Sequence, residues 1–180
     1  MRGLVVVVAC AALVVVAIGG WLLFANARDD AGVGASAAPS GPGDLQPDRG
    51  DRHLPAGEHV PLEGLTDPPT SGAHHDRLVT REGTLDPNEI LHALELGDVI
   101  FFYGSAKAPA ALKRVQEDVS GPFDPEVAAA GQQVVLARRP GTDGVVAAAW
   151  RRLLRTGDAA DPRLREFADA WLGVGVASGR

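Results

Sequence analysis

Residues Leu4 to Phe24 constrain this chain more than any other feature. They form an almost wholly apolar run of 21 residues, interrupted only by small or weakly polar positions such as Cys10, Gly19 and Gly20. At helical rise the run covers roughly 30 Å, about the hydrocarbon thickness of a bilayer. Nothing else in the chain approaches that length. The run therefore predicts a transmembrane helix within an anchor of residues 1–27. Two other readings compete. Ala25-Asn26-Ala27 offers a small-x-small cleavage site, but a signal peptide needs a shorter apolar core of about 7–15 residues. Val7-Val8-Ala9-Cys10 looks like a lipobox, yet the apolar stretch continues well past Cys10.

The flanks set the expected orientation. Arg2 and the α-amino group lie on the N-terminal side, whereas Arg28 is followed at once by Asp29 and Asp30. This favours a cytoplasmic N-terminus and an extracytoplasmic C-terminal part, in a cell membrane crossed once. The expected partner is thus the lipid bilayer of the cytoplasmic membrane; no protein partner is assigned. Setting Arg2 aside leaves 16 Lys and Arg against 23 Asp and Glu, a formal charge of −7. Nucleic acid demands a basic footprint, so that partner class is excluded. Cys10 is the single cysteine, which leaves the exported part with neither a disulfide nor a thiolate ligand. Abundant Ala, Gly, Val and Arg with few Lys suggest a bacterium of high genomic GC content.

Composition divides the remainder. Arg28 to Glu58 is dominated by Gly, Ala, Pro, Asp and Ser, and only Val33, Leu45 and Leu54 are bulky aliphatics. Such a stretch cannot offset its ordering entropy by burial, so residues 28–58 are expected to be a disordered, flexible linker of about 30 Å average span. Residues 59–176 are expected to fold, with 177–180 as a tail. Asp86-Pro87-Asn88-Glu89 starts a helix with a capping Asp, Pro at the first position and Glu three residues after the cap; Gly97 ends it. Val99 to Tyr103 reads as a buried strand and Ala108 to Val119 as a helix. Gln133 to Arg138 and Val145 to Trp150 read as strands, joined by Gly141-Thr142-Asp143-Gly144 as a hairpin turn. Asp161 and Pro162 open a last helix that buries Leu164, Phe167, Ala168, Trp171 and Leu172. The fold class is α+β, a small sheet packed by helices. The element order partly echoes a thioredoxin-like half, without its Cys-x-x-Cys.

All five histidines, His53, His59, His74, His75 and His92, fall within 40 residues. His74 and His75 follow the stiff segment Pro68-Pro69-Thr70-Ser71-Gly72-Ala73, and in extended backbone only one of the pair can enter a given site. His92 sits mid-helix with Glu95 three residues on, on the same face. A loop imidazole, a helix imidazole and a nearby carboxylate suit zinc or copper. The bland alternative makes His92 a partly buried hydrogen-bonding residue and leaves His53 solvated in the linker. Ser71, His74 and Asp76 can be written as a triad, but no nucleophile elbow surrounds Ser71, and a turn role suits it better.

His59, Pro68 to His74, His92-Ala93-Leu94-Glu95-Leu96-Gly97-Asp98-Val99 and Tyr103 together resemble a family of domains of unknown function, number 3105. The similarity extends through Ala149-Trp150 and Phe167. Members typically carry one N-terminal anchoring helix, and the resemblance implies no particular activity. Their helix usually reads His-Ala-Leu-Glu-His-Gly, which puts two imidazoles four residues apart on one face. Leu96 stands at the second of these positions here. The matching metal donors are thus His59, His74 and His92, with Glu95 as substitute or supporting partner. The leading expectation is a non-catalytic, membrane-tethered extracytoplasmic domain binding copper or zinc through these residues. A cell-envelope scaffold and a hydrolase using metal-bound water are the alternatives. The hydrolase is the poorer, because Leu96 removes one ligand of a peptidase-like helix.

Overall fold

The computed structural model describes residues 40–61 and 63–176. The expected membrane helix and the 177–180 tail lie outside the described residues. Among those described, no helix is long and apolar enough to cross a membrane.

Five strands form one mixed sheet: β1 (Asp44–Leu45), β2 (Val99–Tyr103), β3 (Val134–Arg138), β4 (Val145–Ala149) and β5 (Arg152–Thr156). Their spatial order is β1-β5-β4-β2-β3. Strands β2 and β3 are parallel, Val99 opposite Val134 and Tyr103 opposite Arg138, whereas β4 is antiparallel to both β2 and β5. Among the described residues four helices accompany the sheet: α1 (Pro87–Leu96), α2 (Ala110–Ser120), the short α3 (Pro125–Ala129) and α4 (Pro162–Trp171). This is the expected α+β class.

Strand β2 is apolar at every position because both faces of the sheet are covered. Val99, Phe101 and Tyr103 point to one side, where they join Val134, Leu136, Val145 and Ala147 beneath Leu112 of α2 and Leu164, Phe167 and Trp171 of α4. Ile100 and Phe102 point to the other side, against Ile90, Ala93 and Leu94 of α1 with Val135, Ala137, Val146 and Ala148. Period-two alternation thus feeds two cores instead of one core and a wet face. Each fully buried large side chain contributes about 1.5–3 kcal/mol of transfer free energy.

Two readings of the sequence need correction, and one hairpin goes unread. Gly141 to Gly144 does connect β3 to β4, but the two strands are not a hairpin, because β2 lies between them. The crossover through α2 and α3 brings β3 parallel to one edge of β2, so β4 must take the other. The true hairpin is β4–β5, in which Ala149 pairs with Arg152 and only Trp150 and Arg151 form the loop. Arg151 supplies the positive φ, 58°, where Gly or Asn would be the expected signal. Finally, the stretch read as linker joins the fold from Gly41 onward. Strand β1 pairs with β5, Trp171 donates its indole N–H to the Pro42 carbonyl at 2.8 Å, and Leu54 is buried.

Candidate metal centre

Helix α1 is fixed at both ends. The Asp86 carboxylate accepts from the N–H groups of Asn88 and Glu89, the Glu89 carboxylate accepts in return from the Asp86 N–H, and Gly97 closes the helix at φ 118°. One face of the helix packs on the sheet through Ile90, Ala93 and Leu94. His92 and Glu95, three residues apart, then project together from the helix.

The opposing wall is irregular backbone. Residues 46–54 form a strap that runs beside the Pro-rich loop and is bound to it mainly through main-chain groups. The Gly72 N–H donates to the Gly50 carbonyl at 2.8 Å, the His74 N–H to the Arg52 carbonyl at 3.1 Å, and the Leu54 N–H to the His74 carbonyl at 2.7 Å. Ser71 cross-links the two segments: its hydroxyl accepts from the Arg49 N–H and donates to the Pro47 carbonyl. Gly72, at φ 142°, lies so close to Leu65 that a Cβ there would sit 2.9 Å from Leu65 Cδ2. His53 and His74 consequently face each other across a parallel bridge.

Three imidazoles from three separate segments converge on one oxygen. Glu95 Oε2 lies 2.8 Å from His53 Nε2, 3.0 Å from His74 Nε2 and 3.5 Å from His92 Nδ1. The ring centroids of His53, His74 and His92 are 5.1, 5.7 and 5.6 Å apart. The donor atoms of His53, His74, His92 and Glu95 all lie within 4.8 Å of one another. His92 Nδ1 is buried and has no hydrogen-bond partner.

Proton accounting shows what the cluster lacks. The Gly72 carbonyl can only accept, so His74 Nδ1, 2.9 Å away, must donate to it. The Asp76 carboxylate, 2.7 Å from His53 Nδ1, imposes the same tautomer on His53. In neutral rings both Nε2 atoms then direct lone pairs at a carboxylate oxygen, which repels them. A proton or a metal ion placed among the donors would relieve that repulsion. The electrostatics of His53 and His92 diverge. The hydrogen bond to Glu95 raises the His53 pKa against the opposing effect of burial. Burial lowers that of His92, assisted by His74.

The donor chemistry fits a borderline transition metal: three imidazole nitrogens and a carboxylate oxygen. A tetrahedral ion at about 2.0–2.1 Å would hold its donors about 3.3 Å apart, so the widest pair must draw in by about 1.5 Å.

Of the four residues expected from the sequence, the structure brings together His74, His92 and Glu95. His59 is exposed and lies outside the group. The third imidazole is His53, which the sequence reading leaves solvated in a linker. The available signal is Leu54 beside it, a lone bulky aliphatic in a polar stretch, which is buried against the domain. His75 serves the strap instead, with its two ring nitrogens 3.0 Å from the Leu54 carbonyl and 2.9 Å from the Glu58 carbonyl. Ser71 is committed to backbone and Asp76 to His53, so these residues assemble no triad with His74.

Fold and site define a small α+β domain with a histidine–carboxylate cluster where its regular and irregular halves meet. The chain belongs to the family described as Protein of unknown function (DUF3105), which matches residues 56–174. His53 lies just before the matched span; His74, His92 and Glu95 lie inside it. No curated protein and no solved structure matches the chain.

Proposed function

We propose that this domain binds one transition-metal ion, zinc or copper, through His53, His74, His92 and Glu95, and that it does so tethered to the outer face of the cytoplasmic membrane. The observation that carries the metal reading is the convergence of three imidazoles on Glu95 Oε2, with His92 Nδ1 buried and unpartnered among them. A hydrogen-bonded structural cluster would satisfy its buried nitrogens; this one leaves His92 Nδ1 without a partner, which a metal bond would supply. The outer nitrogens of His53 and His74 are held by Asp76 and Gly72, the arrangement that orients histidine ligands in metal sites. Four protein donors complete a tetrahedral shell, which favours holding an ion over activating a water. The tether rests on the apolar run Leu4 to Phe24 and its flanking charges.

Calorimetric titration of the full-length chain with Zn²⁺ and Cu²⁺ tests the reading. The expected result is one equivalent bound, with affinity lowered about 100-fold or more in His92→Ala. Absence of saturable binding in the wild type ends it. For the tether, protease added outside spheroplasts should remove the folded domain; complete protection would place it on the wrong side.

A further inference from the structure

The four donors are unequal in a way that assigns them different tasks. Side-chain exposure is 0% for His74, 11% for His92 and 13% for Glu95, but 45% for His53. Three donors therefore make a largely buried floor, and His53 is by far the most solvent-exposed of the four. The His53 backbone is fixed, because its neighbours Arg52 and Leu54 are both hydrogen-bonded to His74. Only the ring is free to turn. Apart from Glu95 at Nε2, what restrains the ring is Asp76 on Nδ1 at 2.7 Å, and that carboxylate is itself 65% exposed, so water competes for it.

Resting on the metal reading above, we infer that His53 is the exchange ligand of the site, replaced on the metal by an incoming neutral nitrogen donor, and that Asp76 is the positioning residue controlling how readily this happens. In the exchange the metal–Nε2 bond to His53 breaks as a metal–nitrogen bond to the incoming donor forms. His53 leaves as a neutral ring with its Nδ1 proton still donated to Asp76, so charge and protons balance without a co-reactant. His74, His92 and Glu95 retain the ion meanwhile. The partner class is an imidazole-bearing metal donor or acceptor, approaching from the solvent side.

The test uses the full-length chain, Cu²⁺ and free imidazole, followed by the visible absorption of bound Cu²⁺. His53→Ala should bind Cu²⁺ more weakly, with an altered spectrum that millimolar imidazole returns to the wild-type form. The wild-type spectrum should barely respond, because exchange of one imidazole for another leaves the donor set of the ion unchanged. His74→Ala should not be rescued, since its position is closed to solvent. Rescue of both variants alike, or of neither, overturns the inference while leaving the metal reading intact. Failure of the wild type to bind Cu²⁺ or Zn²⁺ defeats both. Asp76→Asn, which keeps the side-chain shape, should transfer Cu²⁺ to a competing chelator about 10-fold faster or more, with unfolding of the metal-free chain unchanged. An unaltered transfer rate removes Asp76 from the account.

Discussion

The sheet half of this domain, residues 86–171 with the helix packed on the sheet, and the strap-and-loop half, residues 41–85, are built by opposite means. The sheet half is held by apolar side chains buried on both faces of β2. The other half buries few, Leu54 and Val79 among them, and is held by backbone groups, Pro and Gly geometry, and the Ser71 hydroxyl. The histidine–carboxylate cluster draws on both kinds of construction, with His92 and Glu95 supplied by a capped helix packed on the sheet and His53 and His74 by irregular chain. The lesson is that side-chain periodicity builds the platform, whereas the site is completed by a segment with almost none.

Three substitutions sharpen or break this contrast. Phe101 is wholly buried in the sheet half, so Phe101→Ala should cost about 3–5 kcal/mol in denaturant unfolding of the full-length chain. A cost under about 1 kcal/mol would mean the sheet core is not the main source of stability.

Asp98, at the junction of α1 and β2, gives the next largest effect. Its Oδ1 accepts from the Gln133 N–H at 2.8 Å, Oδ2 is buried without a partner, and burial pushes the carboxyl pKa up to about 8. The folded state therefore holds a proton that the unfolded state releases near pH 4, and stability falls as pH rises from there to about 8. Asp98→Asn retains an acceptor for Gln133 and removes the titration. Its unfolding free energy should vary less across that window, by up to the order of 1 kcal/mol per pH unit. Parallel pH profiles for wild type and variant would show that Asp98 titrates alike in both states.

Ser71→Ala removes the cross-link between loop and strap and strands a backbone N–H and C=O, at about 1–2 kcal/mol. It should also loosen His53 more than His92, seen as faster amide exchange in residues 47–54 than in α1. Equal exchange in both segments would erase the distinction between the halves.

The sheet half is far more legible in the sequence than the other half, for physical reasons. The Asp86–Glu89 capping box, Gly97 and the apolar run at Val99 to Tyr103 are readable because each acts locally. Strand β5 is concealed because Arg152 and Arg155 break its apolar pattern. Arg152 is nevertheless buried, its guanidinium 4.8 Å above the Trp171 ring. The Gly141–Gly144 turn reports a reversal correctly, but turn chemistry cannot say which edge of β2 a strand will take. His53 is hidden most deeply. Its segment has the composition of a linker, and the groups that hold it belong to Gly72, His74 and Ser71, some twenty residues away. His74, His92 and Glu95 are suggested by residue type and local structure, whereas His59, nominated by the family resemblance, lies elsewhere.

Metal-edge X-ray absorption on the Zn²⁺-loaded full-length chain tests the central claim most directly. The account predicts a four-coordinate shell at about 2.0–2.1 Å containing three imidazoles and one carboxylate oxygen, with one imidazole lost in His53→Ala and none in His59→Ala. A shell that keeps its imidazoles in His53→Ala and loses one in His59→Ala would contradict it.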